Sequence, residues 1–350
     1  MRQLPFAPER LLQEMLETPS FSGQEQAIAE LLVRRMSQVP DMHAFRDAAG
    51  NAVGIMGEGP EEIVLLGHMD TAPGAVPVRR EGDLLYGRGS VDAKGPLAAF
   101  IAATAAVGPL PGKRVVVVGA VEEECPTSRG ARYAVTQYQP TAAIIGEPSN
   151  WDRITLGYKG SLSAEYILAQ EMEHSSGPGQ TVSEKAVEFW ERFRDYAAQR
   201  NNGNGRSFAT LDPTLRQIQS ESDGLVDRVR MTVAYRVPVG VTVAELRMAM
   251  EAWRGEAELR IMNEEEPFQA ERNTALVRAF LQAIRDEDGS PRFALKHGTS
   301  DMNIVGPAWR CPIVAYGPGD SRLDHTPQEH ISLAEFRRGI QVLKRVLQAL

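Results

Sequence analysis

Four segments of the chain carry imidazole and carboxylate side chains at spacings suited to metal-assisted hydrolysis. They are His68-Met69-Asp70, Asp92 within YGRGSVDAKGP, the run Glu122-Glu123-Glu124, and Glu147 within GEPS. Imidazole and carboxylate donors suit zinc and its neighbours, and a carboxylate can bridge two such ions. The His-x-Asp spacing is useful because a ligand imidazole needs its second nitrogen held, and Asp70 is placed to hold His68. Three consecutive glutamates repel one another and raise one another's pKa, a cost that nearby cations remove. Neighbours in an extended segment point opposite ways, so one Glu can bind metal while the next handles a proton. Taken singly, each feature has a plainer reading: a surface His-Asp pair, a solvated acidic loop and, for Asp92, a helix cap.

Position overrides those plainer readings. NAVGIMG, EEIVLLG, KRVVVVGAV and TAAIIG are apolar, rich in Val and Ile, and of strand length. EEIVLLG runs straight into His68, KRVVVVGAV into Glu122, and AAIIG into Glu147, while Asp92 follows a hairpin and precedes the Ala-rich helix PLAAFIAATAAV. In open α/β sheets the reactive groups collect just beyond the carboxyl ends of the strands, where all four segments fall. Two amphipathic helices, LLQEML and AIAELLVRRM, precede the first strand around a turn at TPSFSG. Strands alternating with helices indicate an α/β domain with a mostly parallel sheet.

The pattern changes near Gly157. GSLSAEYILAQ, TVSEKAVEFWERFRDYAAQ, VDRVRMTVAYRVP, VAELRMAMEAWRG and AELRIMNEEE read as strand, helix, strand, helix, strand, a compact α+β unit. From Asn273 the α/β pattern returns with NTALVRAFLQAIRDE, CPIVAYG and ISLAEFRRGIQVLKRVLQAL. The organisation expected is a catalytic domain made of residues 1–156 and 270–350, with residues 157–269 inserted into it.

Length and composition agree with this. At 350 residues the chain exceeds what one core usually organises. Its 43% hydrophobic and 24% charged residues are those of an ordinary globular protein. A net charge of −8 argues against nucleic acid as a partner. No stretch approaches the roughly 20 apolar residues of a membrane span, and the start lacks a signal peptide's apolar segment, so a cytoplasmic protein is expected. Cys125 and Cys311 are too few for a disulfide framework.

In order and spacing, GHMDT, GRGSVDAKGP, the EEE segment, GEPS and DHTPQEH resemble the M20 metallopeptidases and deacylases. The resemblance covers nearly the whole chain. It implies a zinc-peptidase-like catalytic domain, an inserted lid that also makes a homodimer, and two divalent metal ions, zinc with cobalt as the alternative. Carried over by position, it makes His68 and Glu147 ligands of one metal, Asp92 the bridging carboxylate, and Glu124 and His325 ligands of the other. Asp70 would orient His68, and Glu123 would be the general base. His174, in EHSSGPG, resembles a histidine that reaches a neighbouring subunit's active site and stabilises an oxyanion. Lys159 and Arg236 match basic positions near substrate, and Gly298, Thr299 and Ser300 match a substrate-contacting loop.

Within the family, EEECPTSRGARY and the compact length are most similar to hydrolases that release lysine, and in some organisms ornithine, in amino-acid biosynthesis. Their substrate is the γ-carboxyl amide of a glutamate ending an acidic amino-group carrier protein. The alternative is an acetylornithine deacetylase or related enzyme acting on a small N-acyl amino acid. A non-catalytic binding protein would need a missing ligand or base, and none is missing. A phosphodiesterase would need a basic phosphate clamp, which is not evident. An acidic carrier meeting an acidic enzyme requires basic residues near the site, and Arg79, Arg80, Arg129, Arg132 and Lys159 are the candidates.

Overall fold

The computed structural model describes residues 4–172 and 179–350. Two compact units divide the chain. One holds the residues up to Gly157 together with Ala270–Leu295 and Ser300–Leu350, and the other holds Tyr158–Gln269 and Lys296–Thr299.

The first unit is built on seven strands of a nine-stranded sheet, in the order Met42–Arg46, Ala52–Met56, Lys113–Ala120, Glu61–His68, Ala142–Gly146, Ile313–Ala315 and Arg153–Tyr158. The middle four run parallel and the flanking pairings are antiparallel. Continuous apolar runs such as Val115–Val118 arise because both faces of these strands are covered, leaving none of the four more than 1% exposed. The Ala-rich segment forms helix Lys94–Val107, buried at every position from Lys94 to Ala105. Such a helix needs small partners on the sheet. A Cβ on Gly146 would sit 2.9 Å from Phe100 and 3.0 Å from the Gly67 backbone.

Lys94 opens that helix, and its ammonium donates to Met15 O at 3.0 Å and Thr18 O at 2.9 Å. Those carbonyls close helix Pro8–Glu17, the end that favours a cation. Burial pushes the Lys94 ammonium down to about 7.

The second unit is a four-stranded antiparallel sheet, in the order Asp212–Ser222, Val226–Val237, Gly160–Glu171 and Glu258–Glu265. Helices Val182–Asn201 and Val243–Trp253 bury one face of it. Alternation sets which face: Leu162, Ala164, Tyr166 and Leu168 point into the core. There the Phe193 ring stacks on Tyr235 with centroids 3.7 Å apart. A capping box between Thr181 and Glu184 starts the longer helix.

Strand Asp212–Ser222 was not foreseen, because it lies at the sheet edge and is polar and largely exposed. Lys296–Thr299, read from sequence with the C-terminal segment, cluster with the second unit instead, where the Lys159 N–H donates to Lys296 O at 3.0 Å. Among the described residues no helix is long and apolar enough to cross a membrane.

Candidate active site

Register brings the reactive segments together. Glu61–His68 and Lys113–Ala120 end level, with His68 opposite Ala120, and Gly67 lies opposite Gly146 on the other neighbour. His68, the glutamate run and Glu147 therefore leave the sheet side by side. Asp92 comes from the loop after the hairpin Arg79–Glu81 and Leu84–Tyr86. His325 precedes strand His330–Ser332, which pairs with that same hairpin.

One donor atom each from His68, Asp92 and Glu124 lies within 4.8 Å of the others, a group able to hold a metal ion. His68 Nε2 is 3.1 Å from Asp92 Oδ1, while His325 Nε2 is 3.0 Å from Asp92 Oδ2 and 3.1 Å from Glu124 Oε1. Asp92 thus touches both imidazoles. It is not a helix cap: the N-cap of Lys94–Val107 is Ala93, and no side chain caps it.

The glutamate run is sorted by its backbone. Glu122 adopts a left-handed φ of 61°, and its carboxylate is taken by Arg129 at 2.8 Å and Thr127 at 2.5 Å. Glu123 comes within 3.9 Å of His68, and Glu124 reaches His325. Two buried carboxylates hold this conformation. Glu25 accepts the N–H of Glu122 at 3.1 Å, and Asp70 accepts those of Glu123 at 3.1 Å and Glu124 at 3.0 Å. Asp70 also accepts the Ser22 hydroxyl at 2.7 Å and lies 3.5 Å from His68 Nδ1. The Nδ1 contact at 3.0 Å is with the Asp70 carbonyl oxygen.

The surroundings favour added positive charge. Burial opposes protonation of His68, but Glu123, Asp70 and Asp92 override it and raise its pKa well above the usual value. Hydrogen bonds to Asp92 and Glu124 raise His325 to about 10. Burial pushes Glu123 well above the ordinary carboxylate range, and Glu147, Asp301 and Glu124 add to the rise against the opposing pull of His68. Burial alone would raise Asp92, yet the two imidazoles hold it far below its usual value. A crowd of carboxylates around two imidazoles is a donor set that fits divalent cations.

Other expected residues fall as follows. Ser300 is buried in the first unit, and its hydroxyl accepts the Met302 N–H at 3.2 Å, at the start of helix Met302–Trp309. Gly298 and Thr299 belong to the second unit. Arg236 is half-buried there, its charge disfavoured by burial and by Arg216. His174 lies outside the described residues.

Lys159 is fully buried, donating to Asp212 and to Thr210 O, each at 2.6 Å, which makes it a core ion pair of the second unit. Breaking a buried pair from one side leaves a desolvated charge, so Lys159→Met is expected to destabilise the fold by about 3–5 kcal/mol. Denaturant unfolding followed by tryptophan fluorescence would check this, since Trp190 and Trp253 pack on that core.

Of the basic residues, Arg79 pairs with Glu81 at 2.7 Å and lies over the Tyr86 ring. Arg80 donates to Gly82 O, and Arg132 to Thr127 O. Sequence reasoning missed Glu25 and Glu329, whose carboxylates accept backbone amides, and Asp301, whose charge adds to the rise at Glu123. Asp301 directly follows the loop Gly298-Thr299-Ser300 noted above, and Glu329 stands inside DHTPQEH.

The profile of peptidase family M20/M25/M40 matches residues 64–349. The chain is 44% identical to a [LysW]-lysine hydrolase of Deinococcus radiodurans, across 98% of this chain and 97% of that protein. It is 37% identical to a putative [LysW]-lysine/[LysW]-ornithine hydrolase of Pyrococcus abyssi, across 97% and 93%. Among solved structures, an M20 family metallo-carboxypeptidase from Sulfolobus solfataricus shares the fold with a TM-score of 0.79 at 17% identity, covering 98% of this chain and 99% of that one. The chain belongs to peptidase family M20/M25/M40 and is a hydrolase of that family.

Proposed function

We propose that this protein hydrolyses the amide joining lysine, with ornithine as a second amine, to the γ-carboxyl of a glutamate ending an acidic amino-group carrier protein. The observation that carries the reading is the convergence of His68, Asp92, Glu123, Glu124 and His325 beyond level strand ends, in a chain alike from end to end to a [LysW]-lysine hydrolase. In this reading His68, Asp92, Glu147, Glu124 and His325 hold two divalent cations, zinc with cobalt as the alternative. The second unit serves as lid and dimerisation surface of a cytoplasmic homodimer, to which His174 belongs as an oxyanion donor, and Gly298, Thr299, Ser300 and Arg236 line the substrate.

Bound there, the two cations would polarise the scissile carbonyl and bring the pKa of water towards neutrality. Glu123 does the proton work. Its carboxylate, within 3.9 Å of His68 and next in sequence to Glu124, accepts the proton of the attacking water and returns it to the departing amine. Asp70 keeps His68 and the glutamate backbone in register.

One assay series tests the substrate. Carrier-linked lysine and acetylornithine are compared with the same metal-loaded sample from low to physiological salt. The carrier conjugate is expected to be turned over with a kcat/KM that falls as salt rises, because exposed attraction from basic residues such as Arg80 and Arg132, which donate to backbone carbonyls, is screened over about 8–10 Å. The small substrate should show little change. Efficient turnover of acetylornithine with none of the conjugate would sink the carrier reading and leave a small-molecule deacylase.

A further inference from the structure

The loops bearing Asp92 and His325 come from opposite ends of the first unit's sequence, yet one buried side chain joins them. Glu329 directly precedes strand His330–Ser332, whose His330 lies opposite Tyr86. Its side chain is 0% exposed. Oε1 accepts two successive backbone N–H groups, Val91 at 3.0 Å and Asp92 at 3.2 Å, and Oε2 accepts Arg88 Nη1 at 2.7 Å. Its main-chain carbonyl accepts the Gly87 N–H at 3.3 Å. Arg88 in turn donates to Gly74 O at 2.9 Å and to Thr326 O at 3.4 Å, the residue next to His325.

We infer that Glu329 is a positioning residue of the metal centre. It fixes the backbone of Asp92 to the segment bearing His325, so that the carboxylate and the imidazoles it touches keep one geometry. The inference rests on the metal-centre reading above. The chemistry of the contacts argues for it over a purely structural pair. A buried ion pair can often be exchanged for apolar packing without loss, but no apolar side chain can accept the amide of Asp92 itself. Groups that orient metal ligands in this way typically govern affinity.

The test uses Glu329→Ala and the near-isosteric Glu329→Gln. In the Glu329→Gln variant an NH2 replaces one carboxylate oxygen, so either the contact with Arg88 or the grip on the two amides is lost. Each metal-free protein is titrated with zinc against a competing chelator, and its metal-free melting temperature is recorded. The expected result is zinc affinity weakened about 10–100-fold, more in Glu329→Ala than in Glu329→Gln. The kcat of Glu329→Gln should recover substantially at saturating zinc. Unchanged zinc affinity in both variants, with only the metal-free melting temperature lowered, would overturn the inference and leave Glu329 a structural residue. Wild-type protein that takes up no zinc would overturn the metal-centre reading, and this inference with it.

Discussion

Glu123→Gln is expected to leave bound cation content at the wild-type level and to lower kcat by about 10²–10⁴-fold, the usual worth of a positioned general base. The backbone N–H groups of Glu123 and Glu124 are both held by Asp70, so the peptide should not move when one side chain becomes an amide. Glu124, which reaches His325, is untouched. Gln is nearly the shape of Glu but cannot accept a proton in this pH range, so the loss falls on kcat rather than on KM. Elemental analysis of the same sample decides between roles. Loss of one ion on Glu123→Gln would make Glu123 a ligand and shift the assignment by one residue, and an unchanged kcat would remove it from the chemistry altogether.

The parallel sheet was legible because its strands are covered on both faces and therefore read as unbroken Val and Ile runs. Three of their ends were legible too, since these runs stop at His68, at Glu122 and at Glu147. What sequence could not supply was the sorting of the three glutamates, which depends on the left-handed backbone at Glu122 and on two acceptors distant in sequence, Glu25 and Asp70. A carboxylate that binds backbone amides leaves no pattern in the sequence, because any residue type can donate the N–H. Glu25 was invisible for that reason, and Glu329, though inside DHTPQEH, showed nothing of its role.

Elsewhere the apolar signal was too weak to read. Asp212–Ser222 is an edge strand with few buried positions, and Met302–Trp309 is a short helix that contains Pro307. Lys159 illustrates the converse. A lysine in a strand-like run reads as surface or substrate-facing charge, and its burial depends on Asp212, at the start of a strand that went unrecognised, and on Thr210 O just before it.

Asp70→Asn is expected to lower kcat/KM by about 10³–10⁴-fold through two losses that compound. The first is in cation binding. The Asp70 carboxylate stands 3.5 Å from His68 Nδ1, and although the 3.0 Å contact to the Asp70 carbonyl oxygen survives in Asn, loss of the charge beside a ligand imidazole weakens metal affinity by about 10–100-fold. The second is in positioning. Asp70 Oδ1 and Oδ2 each hold one backbone N–H, of Glu123 and of Glu124. The Asn side chain has one acceptor oxygen, so whichever way it turns, its NH2 faces a backbone donor. A buried donor stripped of its acceptor costs about 1–3 kcal/mol, which the segment relieves by moving. A shift near 1 Å in the residue handling the proton can cost about 10²-fold in rate. Ser22→Ala separates these effects from general loosening, since it removes one hydrogen bond to Asp70 while both backbone contacts remain, and it should change kcat/KM little. The measurement is kcat/KM at limiting and at saturating zinc. Saturation should restore the part of the Asp70→Asn loss that belongs to affinity and leave the positioning part. Complete recovery would mean that Asp70 serves His68 alone and that the glutamate backbone needs no clamp.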